Sequence, residues 1–302
     1  MKKRVYTAAI MTIILIGVCL IPNFYGDFIF SLLFLVLALL GGIEIINCFS
    51  KEKRFSTLVT FIILLGITAL VATNDIDRIG YNVNTYLSIA IIVMVFISLI
   101  LLVFVKDYDA KDASKTIFSI LYIGLGFFSI IFLRLQSLSL IIYAFLISMT
   151  TDVAAQLFGI KFGRHKMIPR ISPKKSWEGA IAGTVISTLV SGTFAIFIGV
   201  IFKSDNYFTT LINKEHYDTI LGYFGIGSIP YYAQVIIIYS ISLVGSVVSQ
   251  IGDLVASKIK RTYDIKDFGN ILPGHGGILD RFDSLILLSI FLVILYNILI
   301  LI

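Results

Sequence analysis

Charge, cysteine and proline are all scarce in this chain, and each scarcity excludes something. Only 14% of the 302 residues are charged against 58% hydrophobic, with a mean hydropathy of +0.98. Soluble globular domains carry about a quarter charged residues, so that class is excluded. The two cysteines, Cys19 and Cys48, both lie in apolar runs, where they read as core packing and offer neither a disulfide framework nor metal-ligand spacing. The five prolines, Pro22, Pro169, Pro173, Pro230 and Pro273, stand outside the long apolar runs or at their edges, where a missing backbone N–H costs little. There is no internal repeat, no low-complexity tract and no G-x-x-x-x-G-K-[ST] loop.

What the chain has in abundance is hydrocarbon. Nine runs, near 5–21, 27–47, 55–73, 85–105, 115–133, 138–158, 180–202, 233–256 and 284–302, are apolar enough to be membrane helices. At 1.5 Å per residue each is about long enough to cross a hydrocarbon core of roughly 30 Å. The expected fold class is therefore all-α, a polytopic integral membrane protein. A basic start followed by an apolar run also suits a signal peptide, but no small-x-small site follows, and the first run is read as a retained helix. With the N-terminus inside, the inner segments hold 20 Lys and Arg and the outer ones hold Arg78, Arg134, Lys203 and Lys214, a split of 20 to 4. That split favours a cytoplasmic N-terminus, an odd number of spans and an external C-terminus.

The expected organisation is an N-terminal scaffold, 1–135, and a catalytic region, 136–302, with cytoplasmic loops at 159–179 and 257–283. In the scaffold Glu44 is the exception, a carboxylate near the inner end of the second run, read as snorkelling to the interface. The outer stretch 203–232 is rich in Tyr and Phe and suits an interfacial belt, with His216 solvated. Loop 160–179, "IKFGRHKMIPRISPKKSWEG", carries six Lys or Arg against one acid and contains the only tryptophan, Trp177. As a bare charge run it would enforce topology or meet anionic headgroups. The preceding helix, however, carries Asp152 and Gln156 four residues apart, on one face at membrane depth.

The last inner segment is the most informative. In "SLVGSVVSQIGDLVASKIKR" the residues Ser246, Ser249, Gln250, Asp253, Ser257 and Lys260 recur at three- and four-residue spacing, one polar stripe down a helix. Such a stripe cannot face lipid, so it is expected to line a wet, protein-enclosed cavity. Beyond it, residues 257–283 interleave acids with bases. That mixture suits a polyphosphate held with a divalent cation, carboxylate oxygens on the metal and Lys or Arg on the remaining phosphate oxygens. "PGHGG", with Gly276 and Gly277, allows positive φ and close backbone approach. Asp280, Asp283 and Ser284 follow at i, i+3 and i+4. Capping of the last helix is the plainer role for Asp283, and less so for Asp280. His275, in the glycine turn, is open to a structural or a phosphate-binding role.

Ser257-Lys258-Ile259-Lys260-Arg261, Lys266-Asp267-Phe268-Gly269, Leu272-Pro273-Gly274-His275-Gly276-Gly277 and Leu279-Asp280-Arg281-Phe282-Asp283-Ser284 together resemble the signature of the phosphatidate cytidylyltransferase (CDP-diacylglycerol synthase) family. "QIGDL" and "GRHKMIPRISPKKSWEGAIAG" are similar to that family's other shared stretches. The resemblance covers about 148–284, and no charged motif residue is missing. It implies transfer of cytidylyl from CTP to phosphatidic acid with Mg²⁺, and K⁺ as a candidate second cation, by a homodimer in the bacterial inner membrane whose site opens to the cytoplasm and the bilayer. Nucleic acid is not among the expected partners. Carried over, Asp253 and Asp280 match the metal-binding carboxylates, with Asp283 and Asp152 as further candidates. Ser257, Lys258, Lys260, Arg261, Lys266 and Arg281 would face the triphosphate together with His275, Gly276 and Gly277, while Lys174, Lys175 or Arg170 would take the lipid phosphate. The rival readings are another CTP-using lipid kinase or nucleotidyltransferase, and an ion-coupled transporter built on Glu44, Asp152 and Asp253. No paired halves with matching broken helices support the transporter, and the D-G-x-x-A-R…G-x-x-x-D-x-x-x-D pattern of CDP-alcohol transferases is absent.

Overall fold

The computed structural model describes residues 17–21, 23–76, 83–203, 207–272 and 276–301. Most of the first expected span, Arg78 and the residues Pro273, Gly274 and His275 of the glycine turn lie outside the described residues. Within them the chain is almost entirely helical: α1 (Asn23–Phe49), α2 (Thr57–Ile76), α3 (Val83–Phe104), α4 (Ala110–Ser119), a π-helical turn (Ile120–Leu125), α5 (Gly126–Gln136), α6 (Leu138–Phe162), α7 (Trp177–Ile201), α8 (Tyr207–Ile212), a 3₁₀ turn (Ile220–Gly222), α9 (Tyr231–Thr262) and α10 (Leu279–Ile300). A two-stranded hairpin, β1 (Lys166–Ile168) and β2 (Ser172–Ser176), interrupts them.

Among the described residues eight helical stretches are long and apolar enough to span a bilayer, with α4, the π turn and α5 running together as one. They correspond to the second through ninth expected runs. Their surface bears out a lipid solvent: on α3, Ile92, Phe96 and Val103 are 66%, 62% and 79% exposed, an arrangement water would penalise and hydrocarbon does not. Helix α9 is longer at its C-terminal end, and α10 at its N-terminal end, than the hydropathy suggested. Helix α9 continues to Thr262 and α10 begins at Leu279, so the expected loop 257–283 contracts to 263–278. Polar and charged residues disguise those turns to a hydropathy reading, although backbone hydrogen bonding continues through them.

The chain forms two compact units. The first comprises 1–131 with 259–282, the second 132–258 with 283–302. Helix α9 thus gives its last turn, and α10 its first, to the N-terminal unit. The first unit is centred on an aromatic cluster in which Phe34 stacks on Phe30 at 4.3 Å and meets Phe282 edge-on at 5.8 Å, with Phe127 at 5.7 Å from Phe282. In the second unit small residues let α6 and α7 pack backbone to backbone. A Cβ at Gly183 would lie 2.9 Å from both the Ala155 Cβ and the Thr151 carbonyl oxygen.

Candidate functional site

In the second unit the hairpin delivers a lysine to the α9 stripe. Ser176 caps α7 by accepting the Gly179 N–H at 3.2 Å, and Glu178 accepts both the backbone N–H and the ring Nδ1 of His165, the latter at 2.6 Å. These contacts fix the strand ahead of α7. Strand alternation then sends the neighbours Lys174 and Lys175 to opposite faces. Lys174 is exposed with Arg170, whereas Lys175 Nζ lies 2.6 Å from Asp253 Oδ2 and 3.5 Å from the Gln250 carbonyl oxygen. Asp253 Oδ1 also accepts the Ser257 hydroxyl at 3.3 Å, and the carboxylate side chain keeps 28% of its surface exposed. Asp152, accessible on α6, stands within electrostatic reach of Asp253 and Lys175. The second unit therefore brings together two carboxylates, an ammonium and a hydroxyl that the sequence spreads over 106 positions, from Asp152 to Ser257.

Further up the stripe, polar side chains bond to neighbouring helices. Ser246 bonds Thr151 at 2.8 Å, and the Gln250 side-chain amide donates to the Ala180 carbonyl and the Thr184 hydroxyl. One turn higher, Ser242 pairs with Tyr143 at 2.7 Å. Ser242, Ser246 and Gln250 are thus met by neighbouring helices, which suits close packing of α9 in lipid, whereas the buried Ser249 hydroxyl of the same stripe has no hydrogen-bond partner.

In the first unit the signature segment is organised around Asp280. Its Oδ1 accepts the Lys260 ammonium at 2.6 Å, and its Oδ2 accepts the backbone N–H groups of Phe268 at 2.8 Å and Gly277 at 2.9 Å. Both side chains of the ion pair are nearly sealed, at 10% and 5% exposure, and Lys260 Nζ lies 5.3 Å from the centre of the Phe268 ring. Gly276 has φ +84°, the left-handed conformation expected of the turn, and its carbonyl accepts the Leu272 N–H at 3.0 Å. The Gly277 N–H is directed at Asp280 and so points into the protein. Around this core Lys266, Asp267 and Arg281 are exposed, and Arg261, also exposed, donates to the Ile265 carbonyl at 3.0 Å. Lys258 is exposed on α9 in the second unit.

Asp283 lies a turn inside α10, 8% exposed, where its Oδ1 accepts the N–H of its own neighbour Ser284 at 2.8 Å; it does not cap the helix start. The cap comes from elsewhere, and here the reading of Glu44 as a snorkelling side chain is corrected. Glu44 is 3% exposed, and its two oxygens accept the N–H groups of Ile278 and Leu279, each at 2.9 Å. The signal was present in the sequence as a lone acid in an apolar run. Its partner, more than 230 residues away, was not.

Two lysine–aspartate pairs thus result, Lys175–Asp253 in one unit and Lys260–Asp280 in the other, each joining a carboxylate to an ammonium. Among the described residues no group of three or more His, Cys, Asp and Glu is placed to enclose a metal unaided. Magnesium is ordinarily held by one or two carboxylates together with substrate phosphates, and the donor set fits that habit.

Comparison with known proteins gives a consistent picture. Residues 2–299 match the model of the cytidylyltransferase family. The chain is 34% identical over 285 residues to the phosphatidate cytidylyltransferase of Staphylococcus saprophyticus, covering 94% of each. It is 32% identical to the proteins of that name from Staphylococcus aureus and Staphylococcus haemolyticus, over 285 and 287 residues and again 94% of each chain.

Proposed function

This chain belongs to the cytidylyltransferase family, and from that premise we propose that it transfers the cytidylyl group of CTP to phosphatidic acid, giving CDP-diacylglycerol and pyrophosphate. The observation that carries this reading is the similarity of 94% of the chain to 94% of relatives named for phosphatidate cytidylyl transfer. It is a multi-pass membrane protein, and its bacterial relatives support the plasma membrane as its location. The proposed topology has the N-terminus and both lysine–aspartate pairs on the cytoplasmic side and the C-terminus outside, supported by the 20-to-4 distribution of basic residues. The homodimer implied by the resemblance is carried forward as part of the proposal.

In this reaction an anionic phosphate oxygen of phosphatidate forms a bond to the α-phosphorus of CTP, and the α–β phosphoanhydride bond breaks. The nucleophile is already charged, so the chain needs no serine, cysteine or histidine to generate one. Its task is alignment and charge neutralisation. Lys258, Arg261, Lys266 and Arg281 are exposed cations that suit the triphosphate and leaving pyrophosphate, and the positive-φ turn at Gly276 shapes the segment that presents them. Lys174 and Arg170 on the hairpin suit the lipid phosphate. Lys175 and Lys260 can each neutralise an aspartate or a phosphate oxygen, both being hard anions. Asp253 and Asp280, with Asp152 and Asp283 as further candidates, are the proposed magnesium ligands, and K⁺ is proposed as an additional cation. When bound, magnesium would offset charge on the triphosphate.

The test is to incubate the purified protein in detergent with labelled CTP, phosphatidic acid and magnesium. A labelled lipid and stoichiometric pyrophosphate are expected. Release of labelled CDP with a phosphorylated lipid would instead make it a CTP-using lipid kinase. Flux into liposomes with no CTP turnover would make it a transporter.

A further inference from the structure

The first turn of a helix leaves N–H groups without intrahelical partners, and these are usually met by a Ser, Thr, Asp or Asn just ahead of it. Helix α10 has Gly277 and Ile278 there, neither of which has a side chain that can accept. Asp280 reaches back to the Gly277 N–H but leaves those of Ile278 and Leu279. Both are taken by Glu44, one on each carboxylate oxygen. A buried anion at the positive end of a helix is favourably placed. The fit is also steric. A Cβ on Gly269 or on Gly277 would stand 2.4 Å from Glu44 Oε1, so the carboxylate occupies a slot that only two glycines of the signature segment can leave open. Leu279 packs alongside against Gly41 of the same helix, where a Cβ would approach it to 3.0 Å.

We infer that Glu44 is a positioning residue for the reaction: by holding Ile278 and Leu279 it sets where Asp280 and the Gly276–Gly277 turn stand toward the triphosphate and its metal. The inference rests on the proposed cytidylyl transfer for its functional half. Two carboxylates, Glu44 and Asp280, together take the N–H groups of Phe268, Gly277, Ile278 and Leu279. Four consecutive or facing amides are thereby spent inside the protein, so the start of α10 is an anchor and leaves phosphate recognition to the cationic side chains. Glutamine at position 44 keeps the shape but offers one acceptor and turns an NH₂ donor toward a backbone donor. Alanine removes both acceptors.

The test uses the full-length protein in detergent, with amide hydrogen exchange and steady-state kinetics measured side by side. In the wild type, Ile278 and Leu279 should be protected, although first-turn amides ordinarily exchange fast. Rapid exchange there would overturn the anchor without any variant needing to fold. In Glu44→Gln the exchange of those two amides should accelerate about tenfold or more. The magnesium concentration for half-activation and the KM for CTP should rise together by about tenfold, while the KM for phosphatidate stays unchanged. Unchanged exchange in Glu44→Gln, or a fall in kcat with the magnesium and CTP responses unaltered, would overturn the inference. A wild-type protein with no cytidylyl transfer would sink the proposed function instead, and exchange at Ile278 and Leu279 would still decide the anchor.

Discussion

Asp253 and Asp280 are chemically identical and nominated for the same role, yet their surroundings differ enough to separate them by experiment. Asp280 and Lys260 are nearly sealed, and the aspartate carries two backbone bonds besides the ion pair. Removing one partner of such a pair leaves the other buried and uncompensated, which costs about 3–5 kcal/mol. Asp253 and Lys175 keep 28% and 26% of their side-chain surface, and a pair that accessible contributes about 1 kcal/mol or less. Both Asp253→Asn and Asp280→Asn are expected to lower kcat/KM by ~10²-fold, the usual scale for losing one group that stabilises developing charge. Only Asp280→Asn should also lower the melting temperature substantially. Paired activity and thermal-shift measurements check this, and full activity in a folded Asp253→Asn protein would remove Asp253 from the metal set. The sequence made both aspartates legible, because an acid near an apolar run is conspicuous. It could not say which was sealed, since burial depends on Lys260, Phe268 and Gly277 folding back around one of them.

At the scale of elements, the turn between α1 and α2 is tied to the start of α4 by charge. Lys53 donates to Asp112 and to the Asp107 carbonyl and lies 3.8 Å from Asp109, while Lys115 pairs with Glu52 at 2.7 Å. Asp109 caps α4 through a reciprocal box with Asp112. The hydrogen bond to Asp112 raises the Lys53 pKa above its ordinary 10.5, so its contribution is complete below that pH and fades as pH rises through the folded value. The bond from the Asp112 N–H and, more weakly, the nearby Lys53 charge depress Asp109 below its ordinary 3.8, so the part that Lys53 contributes is complete above that pH and fades as pH falls through the folded value. The stability deficit of Lys53→Met relative to wild type should therefore be flat between 3.8 and 10.5 and narrow outside that window, as read by thermal unfolding across pH. A deficit that changes through neutral pH would show that Lys53 acts through another group. The helices themselves were legible from hydropathy. The β1–β2 hairpin was not, because three- and five-residue strands lack a periodicity that survives two prolines and four basic residues, and their register depends on Ser176 and Glu178 fixing the start of α7.

For the whole molecule, the proposed membrane side of the functional residues rests on charge counting and is open to direct measurement. A cysteine introduced at the exposed Lys174 of the hairpin, in a background with Cys19 and Cys48 replaced by serine, should react with an impermeant maleimide only after cells are opened. One introduced at exposed Lys214 should react in intact cells. The reverse pattern would invert the topology. The amino-acid sequence by itself determined the solvent, the spans from α1 onward and the residue types of the chemistry, because hydrocarbon content, helical period and acid–base interleaving are properties of neighbours along the chain. Tertiary structure decided that Lys175 answers Asp253, that Lys260 answers Asp280, and that Glu44 closes the start of α10. Those pairings join residues 78, 20 and more than 230 positions apart, and no local pattern encodes which backbone donors a distant carboxylate will meet.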